Sequence, residues 1–156
     1  MAISGTYAAN DAIEFKDAMV EVDLTAGGTF VPIDSWATDV AVSGEDVPST
    51  ETYPFAGSAI VFTGTKSPVE VDITCVYTEG STDPFQNIRD RFEAASGPVI
   101  NVRFCPAGSA SGNFRFTTSG GKLMSCPPPV GSGDANSATL FTFKVRADSL
   151  ARDAIT

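Results

Sequence analysis

Histidine is absent from this 156-residue chain. With it go the commonest general base at neutral pH, the usual nucleophilic triad and the commonest transition-metal ligand. Tryptophan occurs once, at Trp36. Cysteine occurs three times, at Cys75, Cys105 and Cys126, an odd number with no CxxC spacing. A disulfide framework is not indicated, and the thiols read as small buried hydrophobes. No apolar run approaches the roughly 20 residues that a membrane-spanning helix needs. The opening stretch MAISGTYAANDAIEF lacks a basic region followed by an apolar one, so no signal peptide is read there and synthesis in the cytosol is expected. Basic residues are scarce, ten Lys and Arg against nineteen Asp and Glu. An acidic chain without a basic run is poorly suited to gripping nucleic-acid phosphates.

Other chemistry is missing too. Gly108, Gly112, Gly120 and Gly121 fit neither the P-loop nor the dinucleotide pattern. The acids do not follow an EF-hand loop. Glu70 and Asp72 stand two apart on one extended run, which places both carboxylates on one side. That pairing reads as a solvated strand face rather than as a glycosidase pair. Nothing here indicates an enzyme, a cofactor or a metal.

What is present is alternation. In AMVEVDL, Val20, Val22 and Leu24 alternate with Glu21 and Asp23. Trp36, Thr38, Val40 and Val42 share a face of the next run. Val69, Val71, Ile73, Cys75 and Tyr77 oppose Glu70, Asp72, Thr74, Val76 and Thr78. Such strict alternation predicts strands with one buried and one wet face. Further strands are read in TFVPI, SAIVFTG, PVINVRFCP, NFRFTT, KLMSC and TLFTFKVRAD, with Pro127–Pro129 closing one of them. One helix interrupts the strands, at about residues 84–95. Asp83 is placed to cap it, Pro84 suits its first position, and Gln86 completes a capping box. Phe85, Ile88 and Phe92 put three apolar groups on one face, the face expected to join the core.

The fold class expected is mainly β, a two-sheet sandwich or small barrel with one flanking helix. A single domain should span residues 1–156. Residues 1–17 read as an N-terminal arm, 44–58 as a long acidic loop, and 149–156 as a short tail that frays. Charge is uneven: residues 1–80 hold thirteen acids against Lys16 and Lys66, whereas residues 81–156 hold six acids against eight bases. Plain solubility accounts for such a skew, and so does head-to-tail assembly of an acidic surface on a less acidic one.

Taken in order, the early Trp, the loop with TETYPFAG, the strand KSPVEVDITCVYTEG, the helix DPFQNIRDRF, the strand VINVRFCPAG and the closing FTFKVRAD resemble the major tail tube proteins of long-tailed bacteriophages. The resemblance covers roughly residues 18–148, and VYTEGSTDPFQNIRDRF is its most specific piece. It implies a structural virion protein, made in the bacterial host cytoplasm. Its partners would be copies of itself in hexameric rings stacked into a tube, with tail terminator, tape measure and baseplate or tip proteins beyond them. DNA would pass through the lumen without specific binding, and no membrane would be involved. Under that reading Glu21, Asp23, Glu70 and Asp72 face the lumen. Glu45, Asp46, Glu51, Tyr53 and Phe55 form an inter-ring loop, and Arg89, Arg91, Arg103 and Arg115 contact a neighbouring subunit. Two other readings stay open. One is another small β-rich virion component, such as a tail-completion, terminator or head decoration protein. The other is a carbohydrate-binding β-sandwich using Trp36 or Tyr53.

Overall fold

A computed structural model of the chain describes residues 17–131, 133 and 137–156. The expected arm falls almost wholly outside these residues. Among them the chain is mainly β, in three antiparallel sheets with one helix and no closed barrel. The first sheet is built from β1 (Met19–Asp23), β2 (Val31–Pro32), β7 (Asn101–Cys105), β8 (Phe114–Ser119) and β11 (Ser149–Ala154), in the order β11-β8-β7-β1-β2. The second holds β3 (Ala37–Gly44), β6 (Val69–Val76), β9 (Lys122–Ser125) and β10 (Leu140–Ala147), in the order β3-β6-β10-β9. A two-stranded ribbon, β4 (Ser49–Thr52) with β5 (Ile60–Thr63), completes the set.

The alternation in β6 and β10 is realised residue by residue. Val69, Val71, Ile73 and Cys75 point inward beside Phe141, Phe143, Val145 and Ala147, paired from Val69↔Ala147 to Val76↔Leu140. Val20, Val22, Val102 and Phe104 of the other sheet meet them in one core. The helix α1 (Pro84–Ala94) closes one end. Its Phe85 packs edge-on against Tyr77 and Phe141, with ring centroids 4.9 and 5.1 Å away. Ile88 is fully buried and Phe92 partly so. Asp83 sits at the N-cap, but its carboxylate accepts from the Gly80 amide at 2.8 Å and makes no cap hydrogen bond. The capping box is therefore not formed.

Three local differences from the sequence reading have physical causes. A bulge between Ala37 and Asp39 inserts Thr38 against β6, which shifts the parity of β3. Ala37 thus stands on the same side as Val40 and Val42, opposite Cys75, Ile73 and Val71, while Thr38 is exposed and Trp36, just before the strand, still packs against the core. The tail does not fray, because Ser149–Ala154 pairs with β8 along its whole length. The acidic loop is not a loop throughout: Ser49–Thr52 pairs with Ile60–Thr63. Pairing also continues between this ribbon and the main sheet. Gly64 N–H donates to Pro48 O at 2.7 Å, and Ser67 N–H donates to Asp46 O at 2.8 Å. β3–β4 and β5–β6 are thus two arms of one long hairpin, bent at Gly44. Gly44 has φ +87°, and a Cβ there would lie 2.3 Å from Pro68 O, so only glycine fits the bend.

Ile88→Ala should lower unfolding stability by about 2–5 kcal/mol, the cost of an unfilled core site. Urea denaturation checks this, and a loss below about 1 kcal/mol would mean that the helix is not part of the core.

Candidate assembly surfaces

Among the described residues, no group of three or more Cys, Asp and Glu is placed to hold a metal, and no helix is long and apolar enough to cross a membrane. What the molecule offers are surfaces, and their charges are already partly committed. Glu21 is buried on β1 and receives the guanidinium of Arg103, its direct cross-strand neighbour on β7. Arg103 in turn lies over the Phe30 ring, 4.2 Å from its centroid. Asp23 is 1% exposed. Its carboxylate accepts from the amides of Gly28 at 2.6 Å and Thr25 at 3.1 Å, and from the Thr25 hydroxyl at 3.2 Å. Burial pushes this carboxyl up, but the hydrogen bonds from Gly28, Thr25 and Gly27 outweigh it and hold the group below its ordinary value. Glu21 and Asp23 therefore share no wet face. Both side chains are covered within the chain, Glu21 by Arg103 and Asp23 by the turn that follows β1, so neither stands as a free acid on the surface.

Glu70 and Asp72 do stand on the outer face of β6, yet not as free acids. Lys144 reaches Glu70 at 3.2 Å and Asp72 at 3.6 Å, and Arg146 approaches Glu70 at 3.9 Å. The register sets this up, with Lys144 opposite Asp72 and Arg146 opposite Glu70. Lys144 is pushed above its ordinary value, chiefly by its hydrogen bond from Nζ to Glu70. This face is a mixed-charge lattice, not an acidic stripe.

The four arginines divide. Arg89 pairs with Glu93 at 2.5 Å and donates to Cys126 O at 2.7 Å. Arg103 is spent on Glu21. Arg91 and Arg115 each hold an Nε that is buried without a hydrogen-bond partner among the described residues.

The bend and ribbon bring Glu45, Asp46, Glu51, Tyr53 and Phe55 onto one projecting arm. Glu45 takes Lys66 at 2.5 Å, Asp46 N–H donates to Ser67 Oγ at 3.0 Å, and the Tyr53 hydroxyl donates to Glu51 at 2.7 Å. Tyr53 is 72% exposed and Phe55 fully so. Val47, Ile60, Val61 and Phe62 are about half exposed beside them. The sequence reading took SAIVFTG as an ordinary strand and missed this apolar surface. The signal was there, since residues 52–65 carry no charge. A groove of about 320 Å³ was missed as well. It opens between the start of α1 and the β1–β2 connection, with Leu24, Val31, Pro32, Trp36, Asn87 and Ile88 among its walls and no charged side chain lining it. The Trp36 indole donates to the Thr78 hydroxyl at 3.2 Å.

The three thiols are free and buried. Burial pushes Cys75 up to about 12, with proximity to Cys126 adding to it, and burial pushes Cys126 up to about 11.

No protein-family model matches the chain, and no curated protein sequence matches it. Solved structures do match in shape. A chain of the sheath–tube complex of an extracellular contractile injection system aligns at TM-score 0.67 and 15% identity, over 96% of this chain and 100% of that one. A chain from the structure of the anti-feeding prophage cap, which terminates the tube, aligns at TM-score 0.67 and 15% identity, over 99% and 96%. A chain from the tail of an empty gene transfer agent particle aligns at TM-score 0.64 and 15% identity, over 93% and 100%. The fold is of the phage tail tube type.

Replacing Glu21 by Ala should cost about 2–3 kcal/mol, because Arg103 keeps its site and loses its partner. A double-mutant cycle with Arg103→Met, read by urea denaturation, should recover most of that cost; independent effects would show that the pair does not interact. The thiols give a pH signature. Near pH 7 folded and unfolded chains both hold their thiol protons. Between the ordinary thiol value of 9.0 and about 12 the Cys75 thiol ionises in the unfolded chain and not in the folded one, so stability should fall as pH rises through that window. Substituting Cys75 by Ala should flatten the fall, which denaturation midpoints against pH would record.

Proposed function

We propose that this chain is the tube subunit of a phage-like tail. Copies join edge to edge in rings, and the rings stack into a hollow conduit through which the genome leaves the particle. The observation that carries this reading is the likeness in shape over nearly the whole of both chains, to components of tube, cap and tail assemblies. Two surface features support it. The outermost strands β2, β11 and β3 end their sheets with edges that no further strand pairs among the described residues, and ring closure is one way to pair such edges. The ribbon leaves Tyr53, Phe55, Ile60, Val61 and Phe62 exposed, and clustered exposed apolar residues are a mark of interaction surfaces.

The inter-ring role falls to the arm that carries Glu45, Asp46, Glu51, Tyr53 and Phe55. Arg91 and Arg115 are the arginines that suit a carboxylate on a neighbouring copy. Of the four acids first assigned to the lumen, Glu70 and Asp72 remain, as part of a face they share with Lys144 and Arg146. Alternating charges on such a face give phosphates no continuous basic track, so DNA passing along it would not be held. Terminator, tape measure and baseplate proteins would then meet the ends of the tube, and the particle would be the protein's final location.

A second reading has specific support, since chains from the structures of a tube-terminating cap and of a sheath/tube terminator also align, at TM-scores of 0.67 and 0.64. A terminator makes one ring and stops. Negative-stain microscopy of the concentrated, purified chain separates the two. Long cylinders are expected; isolated rings would favour the terminator, and particles that remain monomeric at every concentration would overturn both.

A further inference from the structure

The ribbon tip and the groove are separate apolar surfaces, and in the single chain Phe55 does not enter the groove. Neither ribbon strand packs substantially on either main sheet, so Phe55 stands clear of its own body, fully exposed. Its surroundings from Thr52 to Thr65 are uncharged. The groove walls are uncharged too, and mostly apolar. Its volume of about 320 Å³ takes an aromatic ring with a neighbouring side chain. Pockets of small-ligand size begin at roughly 300 Å³. An aromatic ring buries roughly 150–250 Å² on entering such a site. Charged strands would be excluded from this groove by desolvation; the charge-free tip would not.

We propose that the tip of the β4–β5 ribbon, led by Phe55, seats in the groove walled by Val31, Pro32 and Trp36 on a second copy of the chain. This inference rests on the self-assembly reading above and names the surface that receives the arm. The tip and the groove are different patches, so the contact is head-to-tail rather than two-fold. It therefore propagates from copy to copy.

Cross-linking tests the pairing directly. Phe55→Cys and Val31→Cys place one accessible thiol each, Val31 being 52% exposed, while the three native thiols are buried. An equimolar mixture of the two variants, assembled and treated with a short bis-maleimide, should give a covalent dimer, and neither variant alone should. A dimer from Phe55→Cys alone would overturn the proposal, because it would mean tip against tip. Assembly without any cross-link in the mixture would overturn it too. Phe55→Ser, at a fully exposed site, should keep the wild-type thermal midpoint and raise the concentration needed for cylinders by about tenfold or more. Cylinders from wild type and Phe55→Ser at the same concentration would overturn the pairing and leave the tube reading standing. Absence of any assembly by the wild-type chain would overturn the tube reading, and the pairing with it.

Discussion

Backbone pairing between the two arms of the β3–β6 hairpin outruns the core that those strands cover. From Ala37↔Cys75 to Gly44↔Val69 the hairpin has a buried inner face along β6. Past Gly44 the hydrogen bonds go on, through Asp46–Ser67 and Pro48–Gly64 to the ribbon, but burial stops. Hydrogen bonds keep the backbone satisfied there and contribute little net stability by themselves. A two-stranded ribbon without a covered face is marginal in water. The residues that would cover it, Ile60, Val61 and Phe62, are present and uncovered. The chain thus builds a strand pair whose completion lies outside itself. Self-assembly in the proposed form supplies that missing surface.

The same principle governs the charges. A net charge of −9 suggests a broadly acidic exterior, yet several acids serve the fold. Asp23 is the clearest case: its carboxylate organises the turn after β1 by collecting the amides of Thr25 and Gly28. Glu21 holds Arg103 in place, and Arg103 then covers Phe30. Counting charges along a sequence treats each as solvated. Folding sorts them into structural pairs and a smaller free set, and only the free set can act on a partner.

Where one physical signal dominated, the sequence was a sufficient guide. β6 and β10 alternate without interruption, so their inner faces could be named in advance. Phe85 and Ile88 mark the helix face by spacing alone. Three features were not readable because two signals competed. β1 alternates as perfectly as β6, but its outer face is covered, Glu21 by Arg103 of β7 and Asp23 by the turn that follows, and the alternation itself reveals neither. β3 carries a bulge at Thr38, which turns that residue out of the face that Val40 and Val42 share with Ala37. Prolines and acids between Gly44 and Phe55 mimic a loop, and nothing local reveals that Ser49–Thr52 pairs with Ile60–Thr63. The groove could not be foreseen at all, since the β1–β2 connection, Trp36 and the helix meet only in three dimensions.

A head-to-tail contact has a consequence for the ends of any stack it builds. Each added layer buries one set of tips and one set of grooves and presents a fresh set of one kind. The two ends of the finished stack are therefore chemically different, one bearing bare aromatic tips and the other bare apolar grooves. A partner that closes the first end must offer a pocket without charge; a partner at the second must offer a protruding apolar side chain. One protein cannot cap both ends through a single surface. Polarity of this kind needs no asymmetric signal from elsewhere, because it is already present in a subunit whose knob and socket lie on different elements.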